Sequence, residues 1–580
     1  MKIIGLTDHL GGVAHDNSAA LLIDGEVVFA EAQERISRIK HDKSFPADAI
    51  EHALKFSGVK ISDIDYIASA IPPIKPLPFL LSYLDGLKYC GSSKFLGWLV
   101  KRLYFLLLSS VSTSKLPYKK TGLPQDKLIC ISHHLAHAES AYGNSGFNEC
   151  LAVAWDGYGI DISGKPLCGI IYKARNNNLE KMEEIPFYAS LPLYYGAVTV
   201  ALGFKLNDGE GKTMGLAAYG NSSKCYKALK QIFPTFTKDR WLPKNNWLDI
   251  LSVSQINFFK TTSTYKYLQF LIDKHEAKHV ASATQRILEE ESEKFFIYLT
   301  KKYKDKKIAA AGGVFLNVKM NMRLLDKKII DDLFVYPNPS DSGTAVGAAL
   351  AVYRAKRGVL PNKKLERVDL GCSFTNTQIQ QSINKFKGQI TVTRLKNNLA
   401  KIVAKKLTEG KVLGWFQGRG EWGPRALGQR SVLADPRYKS IKERINQRLK
   451  QRDWFMPFAP AILQEKSAEF LIHNRESPFM ITADRIKPNK TKLIPAAMHI
   501  DKTVRPQIVK KSILPLYYKV IEEFYKLTGT PVILNTSFNR HGLPMVHSPY
   551  EAIEHLLWGA VDELIIEDFL IQRNKPLNQT

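Results

Sequence analysis

A strand followed by a tight hairpin opens this chain, a glycine-punctuated strand pair weakly echoes it later, and that repetition limits the possible folds more than any single residue does. KIIGLT (2–7), SAALLIDG and EVVFAE read as a strand and a hairpin turned at Asp24-Gly25. LAVAWDG (151–157) and LCGIIYKA (167–174) echo the pattern. The expected class is therefore α/β, with residues 1 to about 355 forming two related halves around a nucleotide-gripping cleft. At 580 residues the chain also exceeds the roughly 250–300 at which one core stops growing. KRGVLPNKKLERV (356–368) separates a helix from a new strand-and-helix pattern, which sets expected domains at 1–360 and 368–580.

Between the two halves lies SHHLAHAESAY (132–142). With Ser132 as N-cap and Gly143 as stop, His133 and His137 fall at i and i+4 on one helix face, where one cation can bind both imidazoles. His134 is the bystander. Asp156 closes the apolar strand CLAVAWDG at the end where ligands usually approach, and Asp341 lies in YPNPSDSGTAVGAAL, a loop entering a small-residue helix. Two imidazoles and two carboxylates suit a divalent ion such as iron(II), manganese or zinc. Spacing alone leaves open that these histidines only cap or fill a core.

Composition excludes several classes. Six scattered cysteines without a CxxC pair argue against a disulfide framework or zinc ribbon and for a cytoplasmic location. FLGWLVKRLYFLLLSSV (95–111) is broken by Lys101 and Arg102 short of the roughly 20 apolar residues needed to span a bilayer. It suits a membrane surface or a buried helix. The net charge of +27 is uneven: residues 361–580 hold 36 Lys/Arg against 20 Asp/Glu. Within 411–455, eleven Lys/Arg and four acids alternate with Gly, Trp and Pro, a pattern closer to a lined anion pocket than to a nucleic-acid-binding tail.

Three glycine-rich segments carry the remaining signals. DGEGKTMGLAAYG (208–220) contains GKT, but Leu206 stands where a Walker loop needs glycine. Gly211 and Lys212 still suit an anion contact. KIAAAGGVFLNVKMN breaks at Gly312-Gly313, where backbone amides can approach phosphate or ribose. VLGWFQGRGEWGPRALGQRSVLADPR (412–437) sets arginines 419, 425, 430 and 437 among glycines, and arginine binds phosphate bidentately. Lys450, Arg505, and Asn535, Ser537 and Asn539 at the end of VILNTSFN can complete such a cradle.

Many ordered motifs carry a resemblance over essentially the whole chain: AHDNSAALLIDG with ERISRIKH, HHLAHAESAY, DGYG, GEGKTMGLAAYG, AGGVFLN, SDSGTAVGAA, GRGEWGPRALGQRS, FAPAIL and LNTSFN. The sequence resembles the carbamoyltransferases of the NodU and CmcH type, which are similar to tobramycin carbamoyltransferase. The resemblance implies a duplicated actin-like ATPase (Kae1-like) domain followed by a YrdC-like α/β domain. It also implies a two-step reaction, in which carbamoyl phosphate and ATP form carbamoyl adenylate with loss of pyrophosphate and the carbamoyl group then passes to a hydroxyl.

Carried over residue by residue, the resemblance makes His133, His137, Asp156 and Asp341 ligands of a metal expected to be iron(II). Gly211, Lys212, Gly312, Gly313 and Asn317 become adenylate contacts. Arg425, Lys450, Arg505, Asn535 and Ser537 become the adenylation pocket. His15 is the candidate base for the acceptor hydroxyl, with holding a loop as its alternative role, and Lys40 steadies phosphate. Met456 departs from the arginine usual before PFAP, a place neighbouring Arg452 can fill. Expected partners are carbamoyl phosphate, ATP with magnesium and a hydroxylated small-molecule or glycan acceptor, and no nucleic acid. The competing readings are a threonylcarbamoyl-adenosine factor for transfer RNA and a non-catalytic basic protein binding nucleic acid or a membrane surface.

Overall fold

A computed structural model describes residues 1–7, 16–72, 75–89, 122–360, 363–395, 397–450 and 453–574. Two compact units emerge, one of Met1–Gln33 with His41–Leu365 and one of Glu34–Lys40 with Glu366–Thr580. Lys40 thus belongs to the second unit.

In the first unit, β1 (Lys2–Thr7), β2 (Ser18–Ile23), β3 (Glu26–Ala32), β4 (Tyr66–Ser69) and β5 (Leu128–Cys130) form a sheet in the order β3-β2-β1-β4-β5. The strands β1, β2 and β3 pair antiparallel, and β4 and β5 are added in parallel on the other side of β1. A second sheet contains β6 (Glu149–Ile160), β7 (Pro166–Arg175) and β8 (Asn178–Pro186). A small hairpin of β9 (Thr235–Thr237) and β10 (Arg240–Leu242) precedes its last strands, β11 (Lys307–Ala311) and β12 (Asp332–Val335). The order β12-β11-β6-β7-β8 repeats the first sheet, again with three antiparallel strands and two parallel additions. Even the turns match. Asp24 and Gly25 join β2 to β3 with φ of 49° and 87°, and Asn176 and Asn177 join β7 to β8 with φ of 51° and 59°. Two consecutive positive-φ residues are what a two-residue hairpin with right-handed strand twist requires. This duplication is the actin-like plan, and the chain is α/β.

Helix His133–Ser145 and helix Thr344–Arg357 pack together in this unit, and the second also lies on β1. Their approach depends on missing side chains. A Cβ on Gly347 would stand 1.7 Å from the Ala136 carbonyl oxygen, and one on Gly5 would stand 1.9 Å from that of Ala345. Buried Glu139 accepts two hydrogen bonds from the half-buried Arg354 guanidinium, both on Oε1, across the two helices, fixing their register. The first helix runs past the expected stop at Gly143, because that glycine is itself packed on Leu350 and Leu360; the left-handed cap is Gly146, with φ of 73°.

In the second unit, eight strands run in the order β13-β22-β21-β14-β15-β20-β16-β19. They are β13 (Ile390–Arg394), β14 (Leu413–Phe416), β15 (Arg430–Ala434), β16 (Ala459–Leu463), β19 (Gln507–Val509), β20 (Val532–Ser537), β21 (Glu563–Ile566) and β22 (Phe569–Arg573), while β17 (Asp484–Arg485) and β18 (Thr503–Val504) form a separate ribbon. Alternation along β14 divides the core. Leu413 and Trp415 join one apolar cluster with helices Leu399–Thr408 and Pro515–Thr528, and Phe416 joins the other with helices Asn376–Asn384 and Pro549–Leu557. A sheet covered on both faces leaves its strand ends and loops for chemistry.

Candidate functional site

In the first unit, the strand end of β6, the histidine helix and the loop after β12 converge. His133 Nε2 lies 3.4 Å from Asp156 Oδ2 and 3.7 Å from Asp341 Oδ1; His137 Nε2 lies 3.5 and 3.8 Å from the same oxygens. One donor atom from each of the four residues falls within 4.8 Å of all the others. The two aspartates are held from behind. Asp156 Oδ1 accepts hydrogen bonds from the Gly157 amide (2.7 Å) and the Gly313 amide (3.3 Å), which turns Oδ2 toward the histidines. The Asp341 backbone carbonyl accepts from Thr7 Oγ1 (2.9 Å) and Thr344 Oγ1 (2.7 Å).

Electrostatics point the same way. Burial opposes charge on His137, yet the Asp156 and Asp341 carboxylates outweigh it and push the imidazole up to about 9. Burial likewise works against charge on Asp156, but His133 and His137 hold its carboxyl well below the usual range. Four groups that would otherwise need shared protons fit a divalent cation, which takes the protons' place. Neither ring nitrogen of His137 has a hydrogen-bond partner among the described residues. His134 is fully buried, desolvation draws its imidazole well below the usual range, and its nitrogens are not in the four-donor group.

Gly312 and Gly313 adjoin this cluster. A Cβ on Gly312 (φ 112°) would collide with the Trp155 carbonyl oxygen at 2.0 Å, and its amide donates to the Pro339 carbonyl. Gly211 and Lys212 occupy the first turn of helix Glu210–Ala217, which follows another helix and not a strand; the Walker geometry is absent there. Space around Gly211 is open. Asn317 caps helix Val318–Asp326 through the Met320 amide and exchanges two 2.9 Å hydrogen bonds with Gln285, which also accepts from Tyr195. Its side-chain amide is therefore engaged within the unit. His15 lies outside the described residues, as does Arg452.

In the second unit, the loop between β14 and β15 sorts its arginines. Arg430 is buried, stacks over Phe416 with its guanidinium carbon 3.5 Å from the ring centroid, and donates to the Gln417, Gln429, Gly418 and Cys372 carbonyls. Arg419 donates to the Gly371 and Leu370 carbonyls, and Arg437 is bidentate on Asp435. These three hold the fold, correcting the expectation that all four would line an anion pocket. Arg425 differs. It has no hydrogen bond or ion pair among the described residues, and desolvation draws its guanidinium down to about 10. A half-buried cation left unpaired is costly unless an anion completes it.

The surroundings of Arg425 are fixed by residues that sequence reasoning partly missed. Asn535 on β20 donates to the Ala426 carbonyl (3.0 Å) and to Gln507 Oε1 (2.9 Å), while Gln507 donates to the Leu427 carbonyl (2.7 Å). Two residues along β20, Ser537 meets Lys450. The Lys450 ammonium is almost fully buried and donates to the Ser537 carbonyl and hydroxyl and to the carbonyl and side-chain oxygens of Asn539, at 2.5–3.2 Å. Arg505 lies between β18 and β19, two residues before Gln507. Met456 donates its amide to the Asp453 carbonyl, and no cation stands at that position.

Glu421 is the clearest omission. Its buried carboxylate accepts from the Leu427, Gln429 and Arg430 amides at 2.7–3.1 Å, folding the Arg425 loop around itself. Its one sequence signal is an acid alone amid glycines and arginines. Glu421→Ala leaves three buried amides unsatisfied, and we expect it to cost about 3–5 kcal/mol, measured as a lowered urea midpoint.

Comparison with known proteins agrees with this two-part construction. The Carbamoyltransferase N-terminus family model matches residues 2–350, and the Carbamoyltransferase C-terminus model matches residues 404–573. Nodulation protein NolNO of Sinorhizobium fredii is 32% identical over 96% of this chain and 79% of its own length. Nodulation protein U of the same organism is 24% identical over 99% of both chains. Among solved structures, full-length HypF in its phosphate- and nucleotide-bound form aligns with 62% of this chain and 56% of its own at 13% identity and a TM-score of 0.32. With family models matching both units and covering most of its length, the chain belongs to the carbamoyltransferase family.

Proposed function

We propose that this protein is an ATP-dependent O-carbamoyltransferase that works through carbamoyl adenylate, with residues 1–360 as a Kae1-like transfer domain and 368–580 as a YrdC-like adenylation domain. Carbamoyl phosphate loses phosphate to water, the carbamate oxygen attacks the α-phosphorus of ATP, and pyrophosphate leaves. An acceptor hydroxyl then attacks the carbamoyl carbon, and AMP leaves. The observation that carries this reading is the unpaired guanidinium of Arg425, set in a loop tied down by Asn535 and Gln507. Bringing two polyanions together needs fixed positive charge, which offsets their repulsion and stabilises the pentavalent phosphate. Arg425, Lys450 and Arg505 supply it, Asn535 and Ser537 complete the pocket by holding the Arg425 loop and the Lys450 ammonium in place, and Lys40 steadies phosphate.

Transfer is assigned to the first unit. His133, His137, Asp156 and Asp341 would hold iron(II) or a similar divalent ion, which when bound supplies Lewis-acid polarisation of the acyl phosphate. Gly312 and Gly313, beside that cluster, and Gly211, Lys212 and Asn317 are the proposed adenylate contacts. His15 is the proposed base that takes the acceptor proton. The acceptor is a hydroxylated small molecule or glycan.

The test is exchange of labelled pyrophosphate into ATP. We expect exchange that depends on carbamoyl phosphate and proceeds without threonine. A strict threonine requirement overturns this reading in favour of transfer-RNA modification, and absence of exchange with magnesium and both donors overturns the adenylate route.

A further inference from the structure

Seven residues of the second unit come from far away in the sequence. Glu34–Lys40 belongs to it, although Gln33 and His41 on either side belong to the first. Helix Gln33–Ser37 ends at Arg38, whose φ of 64° is the left-handed value that helix ends usually give to glycine. A side chain with a Cβ is disfavoured in that conformation, and the contacts of the Arg38 guanidinium offset the cost. It donates to the Met545 carbonyl at 2.7 Å and the Pro544 carbonyl at 2.9 Å, and its Nε lies 3.2 Å from Glu551 Oε2. A further hydrogen bond, at 3.2 Å, goes to the Arg35 carbonyl and ties the two arginines together.

Arg35 reaches the loop that carries Arg425. Its guanidinium donates to the Gly423 carbonyl at 2.7 Å, while its Nε lies 3.7 Å from Glu34 Oε1. Gly423 has a φ of 113°, a conformation left to glycine, and only Pro424, with its ring-fixed φ, stands between it and Arg425. Little rotation is left along that path, so a Gly423 carbonyl held in one direction sets how the chain enters Arg425. Beyond Arg425 the loop is fixed at Ala426 by Asn535 and at Leu427 by Gln507. Arg35 restrains the side before it. Resting on the reading of the second unit as the adenylation domain, we infer that Glu34–Lys40 is a strap across the adenylation pocket, anchored by Arg38, in which Arg35 is a positioning residue that aims the Arg425 guanidinium.

The test measures carbamoyl-phosphate-dependent pyrophosphate exchange by the full chain. Arg35→Ala should lower the kcat of exchange about 10²-fold, what a misplacement of about 1 Å typically costs. The KM for ATP should stay at the parent value, because ATP meets the same cations and only their aim in the transition state suffers. Two rescues separate positioning from a folding defect. Ethylguanidinium added to Arg35→Ala should restore much of the rate, and Arg35→Lys, which keeps the stem and a donor, should lose less than Arg35→Ala. Parent-level exchange in Arg35→Ala overturns the inference, as does a loss reversed neither by ethylguanidinium nor by Arg35→Lys. Absence of exchange in the parent chain is a different failure, one that removes the adenylate route and this inference with it.

Discussion

Replacing Arg425 by methionine should silence carbamoyl-phosphate-dependent pyrophosphate exchange while leaving the protein as stable as before, or more so. The two effects share one cause. The guanidinium is desolvated, and no carboxylate or carbonyl among the described residues offsets that cost. Methionine, of similar length, removes a half-buried charge and keeps the packing, a change that is often neutral or stabilising. The missing cation then leaves developing phosphate charge uncompensated, worth about 2.7–4 kcal/mol, or about 10²–10³ in rate. Exchange assays and thermal melts on the same preparation measure both. Arg430→Met should give the opposite pair, marked destabilisation, because Arg430 answers four backbone carbonyls. An Arg425→Met enzyme with undiminished exchange would remove this residue from the adenylation pocket.

That contrast shows what the sequence could convey. Of the four arginines within 412–437, Arg419, Arg425 and Arg430 have the same local grammar, each within two residues of a glycine. What distinguishes them is their partners, and those are distant: Arg430 reaches the Cys372 carbonyl and Arg419 the Gly371 carbonyl, contacts that no spacing rule anticipates. Glu421 and Gln507 escaped notice for a related reason. They act on backbone amides and carbonyls of a loop, and a residue that grips main chain needs no recognisable partner in the sequence.

Local chemistry carried much more of the fold. The Asp24-Gly25 turn was legible because few residue pairs tolerate two positive φ values, and the repeat of that strand pair foretold a second sheet. The Asn176-Asn177 turn between β7 and β8 does the same work without glycine, and that third strand was not anticipated. At the cluster of His133, His137, Asp156 and Asp341, the i, i+4 histidines follow from helix periodicity alone. Asp156 comes from β6 and Asp341 from the turn before helix Thr344–Arg357, and the packing of both elements on helix His133–Ser145 brings them to the histidines. The helix stop failed at Gly143 because that glycine serves close packing, whereas Gly146 serves conformation.

Gly159→Ala tests the cluster without touching a ligand. A Cβ at 159 would stand 2.4 Å from His133 Cδ2 and 2.8 Å from His134 Cε1, both far inside contact distance. Neither ring has room to withdraw. His134 is fully buried, and His133 stands edge-on to both His134 and His137, with centroids 5.3 and 4.7 Å away. The strain of one extra methyl group, typically about 1–3 kcal/mol, therefore falls on the His133 ring and carries Nε2 away from Asp156 and Asp341. We expect cobalt(II) affinity, read by titration of its visible absorption, to fall about 10–100-fold, the range for displaced ligand supports. Carbamoyl transfer should fall with it, while pyrophosphate exchange stays at the parent rate and certifies that the second unit is folded. His137→Ala should abolish binding more completely by removing a donor. If Gly159→Ala bound cobalt as tightly as the parent, His133 would not be a ligand, and the cluster would shrink to three donors.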